Sequence, residues 1–242
     1  MGYLWHELSG ALPLIIHGNA YIVRVAWVTI QVAFVATALA LLFGLPIGLA
    51  LGLGRFRGRK VLQVFANTTL ALPPVLVGVF ALLVLLPQGP LGSLRIEFTL
   101  NAVFLAQAVL ALPYIIALTP AAIQGLPPGL LDQARVLGAG RRQLALLALR
   151  EAKIGVMAAV IAALGSALSE VAAVILIGGN VQGYDQTLAS AIVEQVGPAN
   201  NFEYAIALGI VLLALVLLLL GALTVLQQRT SGINLRFRQV VH

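Results

Sequence analysis

The sequence predicts an all-α integral membrane protein with five transmembrane helices and one helical hairpin on the cytoplasmic side. Three observations carry that reading. Hydrophobic residues make up 61% of the 242-residue chain and charged residues only 9%, with a mean hydropathy of +1.04. A soluble domain carries about 25% charge, so this surface needs lipid as its solvent. Five apolar stretches follow one another, each suited to the roughly 20 residues of a helical crossing. Finally, the basic residues fall in short blocks between those stretches. Membrane topology therefore explains the net charge of +6 and the pI near 10.3 better than nucleic-acid binding does, and no nucleic acid is expected as a partner.

Residues 3–16 place Leu4, Leu8, Leu12 and Ile15 on one helical stripe, with His6, Glu7 and Ser9 opposite. Residues 1–20 thus suit an interfacial amphipathic helix anchored by Tyr3 and Trp5, and suit a frayed N-terminus equally. The first span, 25–53, is longer than a bilayer requires and is punctuated by Gly44, Pro46, Gly48 and Gly52, so it should tilt, kink or extend. The basic run Arg55-Phe56-Arg57-Gly58-Arg59-Lys60 stops it. A second span, 64–86, is interrupted by Pro73-Pro74, and a polar loop covers 87–97. The third, 100–123, contains Pro113 and Pro120. Prolines at these positions mostly bend spans and let helices pack.

The chain then leaves the membrane over 124–153, returns as a fourth span over 154–177, and runs through a glycine-rich loop past Asp185 and Glu194 to Glu203. The fifth span is 204–226, followed by a tail over 227–242. Twelve of the fourteen basic residues lie in the 55–60 loop, the 124–153 loop and the tail, leaving only Arg24 and Arg95 for the opposite face. Five spans put all three basic segments on one side, which the positive-inside rule makes cytoplasmic. The N-terminus is then outside and the C-terminus inside. No basic residue precedes Arg24, so a cleavable signal peptide is not expected.

Enzyme chemistry finds no foothold. The histidines, His6, His17 and His242, are too dispersed for a metal site, and there is no cysteine, no HExxH and no GxSxG. The only lysines, Lys60 and Lys153, end no GxxxxGK[ST] phosphate loop, so no cofactor is expected on this chain. If ATP drives transport, another subunit binds it.

The most informative stretch is 124–153. A helix over 129–137, a turn at 138–140 and a second helix from Arg141 form a hairpin able to dock in a partner's groove, its glycines permitting close approach. Composition alone favours a basic interfacial loop that simply meets anionic lipid. Within the stretch, the run Asp132-Gln133-Ala134-Arg135-Val136-Leu137-Gly138-Ala139 resembles the cytoplasmic EAA loop of ABC-importer permeases. Asp132 stands where that family has Glu, Gln133 and Ala134 where it has two alanines, and Gly138 matches its glycine. The family's later Ile-x-Leu-Pro is missing. In its place stand Ala148-Leu149-Arg150-Glu151, followed by Ala152-Lys153, and this Arg-Glu-Ala-Lys ending is similar to the tungstate-type branch of the oxyanion permeases. The runs 167–174, Gly178-Gly179-Asn180 and 187–192 are similar to the same branch and to molybdate permeases, so the resemblance covers roughly 125–195.

The resemblance implies a permease of the prokaryotic cell (inner) membrane working by alternating access as a homodimer. Its implied partners are cytoplasmic ABC ATPase subunits, which hold ATP and magnesium, an extracytoplasmic substrate-binding protein, a second copy of the chain and membrane lipid. Asp132, Gln133, Ala134, Gly138, Arg141 and Arg142 are the expected ATPase contacts. Candidates for the pathway or its gate are Ser166, Ser169, Glu170, Gly178, Gly179 and Asn180. Glu170 falls about 24 Å along a continuous fourth helix, beyond the midplane, with Ser166 and Ser169 beside it. A bare carboxylate repels an oxyanion, so a structural or gating role between two copies is favoured over substrate contact. Gly178-Gly179-Asn180 either line an outer gate or end a helix through a left-handed cap. A permease for another substrate (molybdate, sulfate or an amino acid) remains open. A self-sufficient secondary transporter would show repeats and paired intramembrane charges, neither of which is present.

Overall fold

The computed structural model describes residues 2–238, and their side chains over 5–229. The side chains of Tyr3, Leu4, Arg236 and Arg238, and His242 altogether, lie outside the described residues. The described chain is helical with no strand, as its composition predicts.

Helix α1 (Gly2–Ile16) is followed by α2 (Ala20–Leu53) after three residues, among them Gly18 in the left-handed region at φ 63°. Asn19 caps α2, its side-chain oxygen accepting the Tyr21 N–H at 3.0 Å. At 34 residues, α2 is about 51 Å long and outruns the roughly 30 Å hydrocarbon layer. Pro46 sits inside without ending it. Its final carbonyls are met by Arg59, whose Nε and Nη2 donate to Leu51 and Gly52 oxygens at 2.6 and 3.1 Å.

Helices α3 (Arg59–Thr69) and α4 (Pro74–Leu85) meet at 101°. The cause is local. A residue preceding proline avoids the helical region, and Pro74 takes the first helical position, where its missing N–H is harmless. The interruption expected at Pro73-Pro74 is thus a sharp corner. Helix α5 (Leu100–Gln124) keeps Pro113 and Pro120 within one helix. After it come α6 (Leu130–Val136), α7 (Arg141–Glu151), α8 (Lys153–Ser169), α9 (Ala172–Gly178), α10 (Leu188–Val196) and α11 (Phe202–Arg238).

Helices α2, α5 and α11 are each long and apolar enough to cross a membrane. The bent pairs α3/α4 and α7/α8, the latter turning through 73°, bring the number to five if each counts as one crossing. The fourth span expected over 154–177 is not one helix. It breaks at Glu170-Val171 into α8 and α9.

The core lies between α2, α5 and α8. Gly44, Gly48 and Gly52, at a spacing of four, face Ile115, Thr119 and Ile123 at the same spacing. A Cβ on Gly48 would lie 2.8 Å from the Cβ of Thr119, so the two backbones are as close as small residues allow. Ala33, Ala36, Ala108, Leu164 and Leu168 continue this packing along α8. Leu213, Leu217 and Leu218 on α11 remain exposed, as a lipid-facing surface requires. The buried side of α1 carries Ala11, with Leu14 and Ile15 packed beside it, while Trp5, Leu8, Leu12 and Ile16 point outward.

Candidate functional site

Two regions hold the residues singled out in the sequence, one beside the last turns of α2 and one along its first half. The first is the hairpin. Pro127 and Pro128 end the α5 direction, and Gly129, at φ 85°, turns the chain into α6. That helix ends in a Schellman motif. The Ala139 N–H donates to the Ala134 oxygen at 2.9 Å, and the Gly138 N–H to the Arg135 oxygen at 3.0 Å. Gly138 supplies the left-handed residue at φ 86° that this closure demands. The Gly140 N–H then donates to Gln143 Oε1 at 2.7 Å, starting α7. Ala134 and Gly138 therefore build the turn, the Gln133 oxygen accepts the Leu137 N–H at 3.0 Å, and the Gln133 residue is exposed.

The turn presents Val136 and Leu137, each 87% exposed, side by side at the tip. Exposed apolar side chains on a capped turn are a knob without a hole. Neither residue is distinguished by its type in the sequence. Only their position at a helix end beside the turn glycine signals them.

Asp132 faces the other way. Its Oδ1 accepts from Arg55 Nη2 at 3.0 Å and from Arg135 Nη1 at 2.5 Å. The first contact ties the loop after α2 to the hairpin. Both partners are largely solvent-exposed, so the pair adds at most about 1 kcal/mol and serves mainly to set geometry. Arg141 lines a cavity with Arg55 and Phe56, and Arg142 is exposed on α7. Arg55, 77 residues from Asp132, was not legible as part of this group.

The second region begins at the α8–α9 break. Glu170 is not within a continuous helix. Its backbone is extended at φ −76° and ψ 133°, and its Oε1 accepts the Ala173 N–H at 3.2 Å. The side chain thus caps the first turn of α9, satisfying a donor that the break orphaned. Ser169 bonds back to the Gly165 oxygen at 2.9 Å, and Ser166 is half-buried.

Gly179, at φ 89°, ends α9 in a left-handed cap, and Asn180 follows at φ 55°. Gly178 is buried against Asp185 and Val103. Asn180 Nδ2 donates to Glu194 at 3.3 Å, Gln186 donates to the same carboxylate, and Tyr21 donates to Gln186 at 2.8 Å. The Leu188 N–H donates to Thr29 at 2.8 Å, fastening α10 to α2. Asp185 is fully buried, one oxygen accepting the Val181 N–H at 2.6 Å, and burial pushes its carboxyl above the usual range. The loop is therefore a tied polar cluster. Of the pathway candidates, Gly178, Gly179 and Asn180 belong to it, while Ser166, Ser169 and Glu170 lie at the break. Among the described residues, no three His, Cys, Asp or Glu side chains converge as a metal would need.

This architecture has known relatives. The chain is 39% identical over 223 residues to a probable anion ABC transporter permease protein of Haloferax volcanii, covering 90% of this chain and 96% of that one. It is 29% identical to the tungstate uptake system permease protein TupB of Peptoclostridium acidaminophilum, covering 88% and 93%. The fold is similar to that of the MetNI methionine ABC transporter solved in an inward facing conformation, with a TM-score of 0.72, 22% identity, and coverage of 90% and 98%. Residues 44–232, from the packed end of α2 through the hairpin to α11, match the model of one family, and the chain belongs to it: the binding-protein-dependent transport system inner membrane components.

Proposed function

We propose that the chain is the membrane channel subunit of an ATP-driven importer for tungstate or a related oxyanion, working as a homodimer by alternating access. A separate cytoplasmic ATPase drives it through the α6–α7 hairpin, and an extracytoplasmic binding protein delivers the anion. The carrying observation is the hairpin tip, where a Schellman turn holds Val136 and Leu137 almost wholly in solvent. Two apolar side chains in that position bury favourably only against a partner. The asymmetry of basic residues supports a cytoplasmic hairpin, with the N-terminus outside and the C-terminus inside. The names of the anion and tungstate relatives support the substrate class. The chain itself is a permease component and not an enzyme.

The loops at the end opposite the hairpin offer little positive charge, so we place anion selection mainly on the binding protein. Glu170 caps α9 at the break, where a hinge within the fourth span would serve the alternation between states.

The test is co-purification of the tagged chain with its ATPase in detergent, comparing wild type with Leu137→Asp and Gly138→Trp. The ATPase should stay with wild type and be lost from both variants, while gel filtration shows the variants still folded. Tungstate, molybdate and sulfate are then compared for stimulation of ATP turnover in the complete complex. An ATPase that binds wild type and Leu137→Asp equally removes the hairpin from the coupling. A chain that alone moves tungstate across liposomes makes it a secondary transporter.

A further inference from the structure

A cavity of about 700 Å³ opens at the hairpin end, between the last turns of α2, the loop after it and α7. Its walls are of two kinds. Leu49, Leu53 and Phe56 form an apolar side, and Arg55, Arg135 and Arg141 a cationic one. The charges are poorly answered from within the chain. Asp132 meets both Arg55 and Arg135 through one oxygen, and Arg141 has no ion-pair or hydrogen-bond partner among the described residues. Three guanidinium groups thus line a cavity in which one carboxylate is shared by two of them. Arg57 and Lys60, lining the adjoining cavity with Arg55, add to the same positive field.

Depth completes the picture. Leu53 lies 29 residues along α2 from Arg24, about 44 Å at 1.5 Å per residue. That matches the roughly 40–45 Å thickness of a bilayer with its headgroups. With Arg24 at one headgroup layer, the cavity sits at the other, where acyl chain gives way to phosphate. Chloride or phosphate from solution would answer the arginines and leave the apolar wall wet. An anionic headgroup carrying an acyl chain answers both walls.

We infer that this cavity is a binding site for one anionic phospholipid, its phosphate between Arg55 and Arg141 and its first methylenes along Leu49, Leu53 and Phe56. Basic pockets beside transmembrane helices take such headgroups by this combination of charge and apolar stem. The bound lipid would bridge the end of α2 to the start of α7, fixing the hairpin's height against the membrane surface. The inference does not depend on which solute is carried, and it gives Arg141 to the lipid in place of the ATPase contact expected from the sequence.

The experiment uses the full chain, purified in detergent without its ATPase and titrated with phosphatidylglycerol, with bound lipid counted by native mass spectrometry. Phosphatidylcholine and inorganic phosphate are run in parallel. Phosphatidylglycerol should bind wild type in preference to phosphatidylcholine, and phosphate should not displace it. Arg141→Gln should weaken binding about fivefold, the share of one basic side chain at an anionic surface. Arg95→Gln, an equal loss of charge in the loop between α4 and α5, should leave it unchanged. Arg55→Gln supplies a second variant outside any helix, with a side chain 74% exposed, so folding is not at stake. Equal binding of the two lipids, or of wild type and both cavity variants, overturns the site. Displacement by inorganic phosphate at matching concentration assigns it to a free anion instead.

Discussion

Gly138 holds φ at 86° with nothing within 4 Å of where a Cβ would stand, so an added Cβ meets a backbone penalty and no clash. For an L-residue the left-handed conformation costs roughly 1–2 kcal/mol. Two hydrogen bonds rest on it, from Gly138 to Arg135 and from Ala139 to Ala134. Gly138→Ala should therefore open the turn about five- to thirtyfold more often, the population change such an energy produces. Hydrogen–deuterium exchange followed by mass spectrometry reads this at 138–140, while the buried amides of α5 should keep wild-type protection. Asparagine tolerates the left-handed region and should exchange more slowly than alanine, and β-branched valine faster. ATPase retention should fall in the same order, glycine, asparagine, alanine, valine. A Gly138→Val protein with wild-type exchange and wild-type ATPase retention would show that the turn is not what presents the tip.

Three further expectations concern the body of the protein. Gly48→Ala places a Cβ 2.8 Å from that of Thr119, and should destabilise by about 1–3 kcal/mol, seen as a lower thermal midpoint in detergent; an unchanged midpoint would mean α2 and α5 are less tightly packed than described. Gln107 is fully buried in α5 with neither amide atom hydrogen-bonded, so Gln107→Leu should raise the midpoint, by about 1–3 kcal/mol in stability. A marked loss would show that the buried amide is hydrogen-bonded inside the chain after all. For Asp185, the raised folded-state pKa means that its stabilising share is whole below the ordinary aspartate value, about 4, and is lost as pH rises through the folded value. Relative to Asp185→Asn, wild type should lose thermal stability across that rise, and parallel pH profiles of the two proteins would contradict the assignment.

Much of the fold follows from chemistry local in the chain. Its low charge and high hydropathy demand lipid, and repeated apolar runs in lipid demand helices, because only they satisfy their own backbone. The corner at Pro73-Pro74 is a property of the dipeptide. The hairpin is nearly as local: helices expected over 129–137 and from Arg141 are found at Leu130–Val136 and Arg141–Glu151, since caps and turn glycines act over four or five residues. Of the two readings open for the N-terminal segment, a helix is found over Gly2–Ile16, but its packed face carries Ala11 and Ile15, with Leu8 and Leu12 turned outward.

The sequence by itself determined a helical membrane protein with a basic hairpin, because hydropathy, charge blocks and capping residues are readable within a window of one helix. Tertiary structure alone decided the break at Glu170-Val171, which no proline or glycine marks. There Gly78 lets α4 press against Ala173 and Leu176, and the Ile177 oxygen accepts the Phe98 N–H at 2.9 Å, fastening α9 to α4 and to the loop before α5. Tertiary structure likewise brought Arg55 to Asp132 and Thr29 to the Leu188 N–H, partners 77 and 159 residues apart. Such contacts depend on how whole helices pack. No short window of sequence contains both members of the pair.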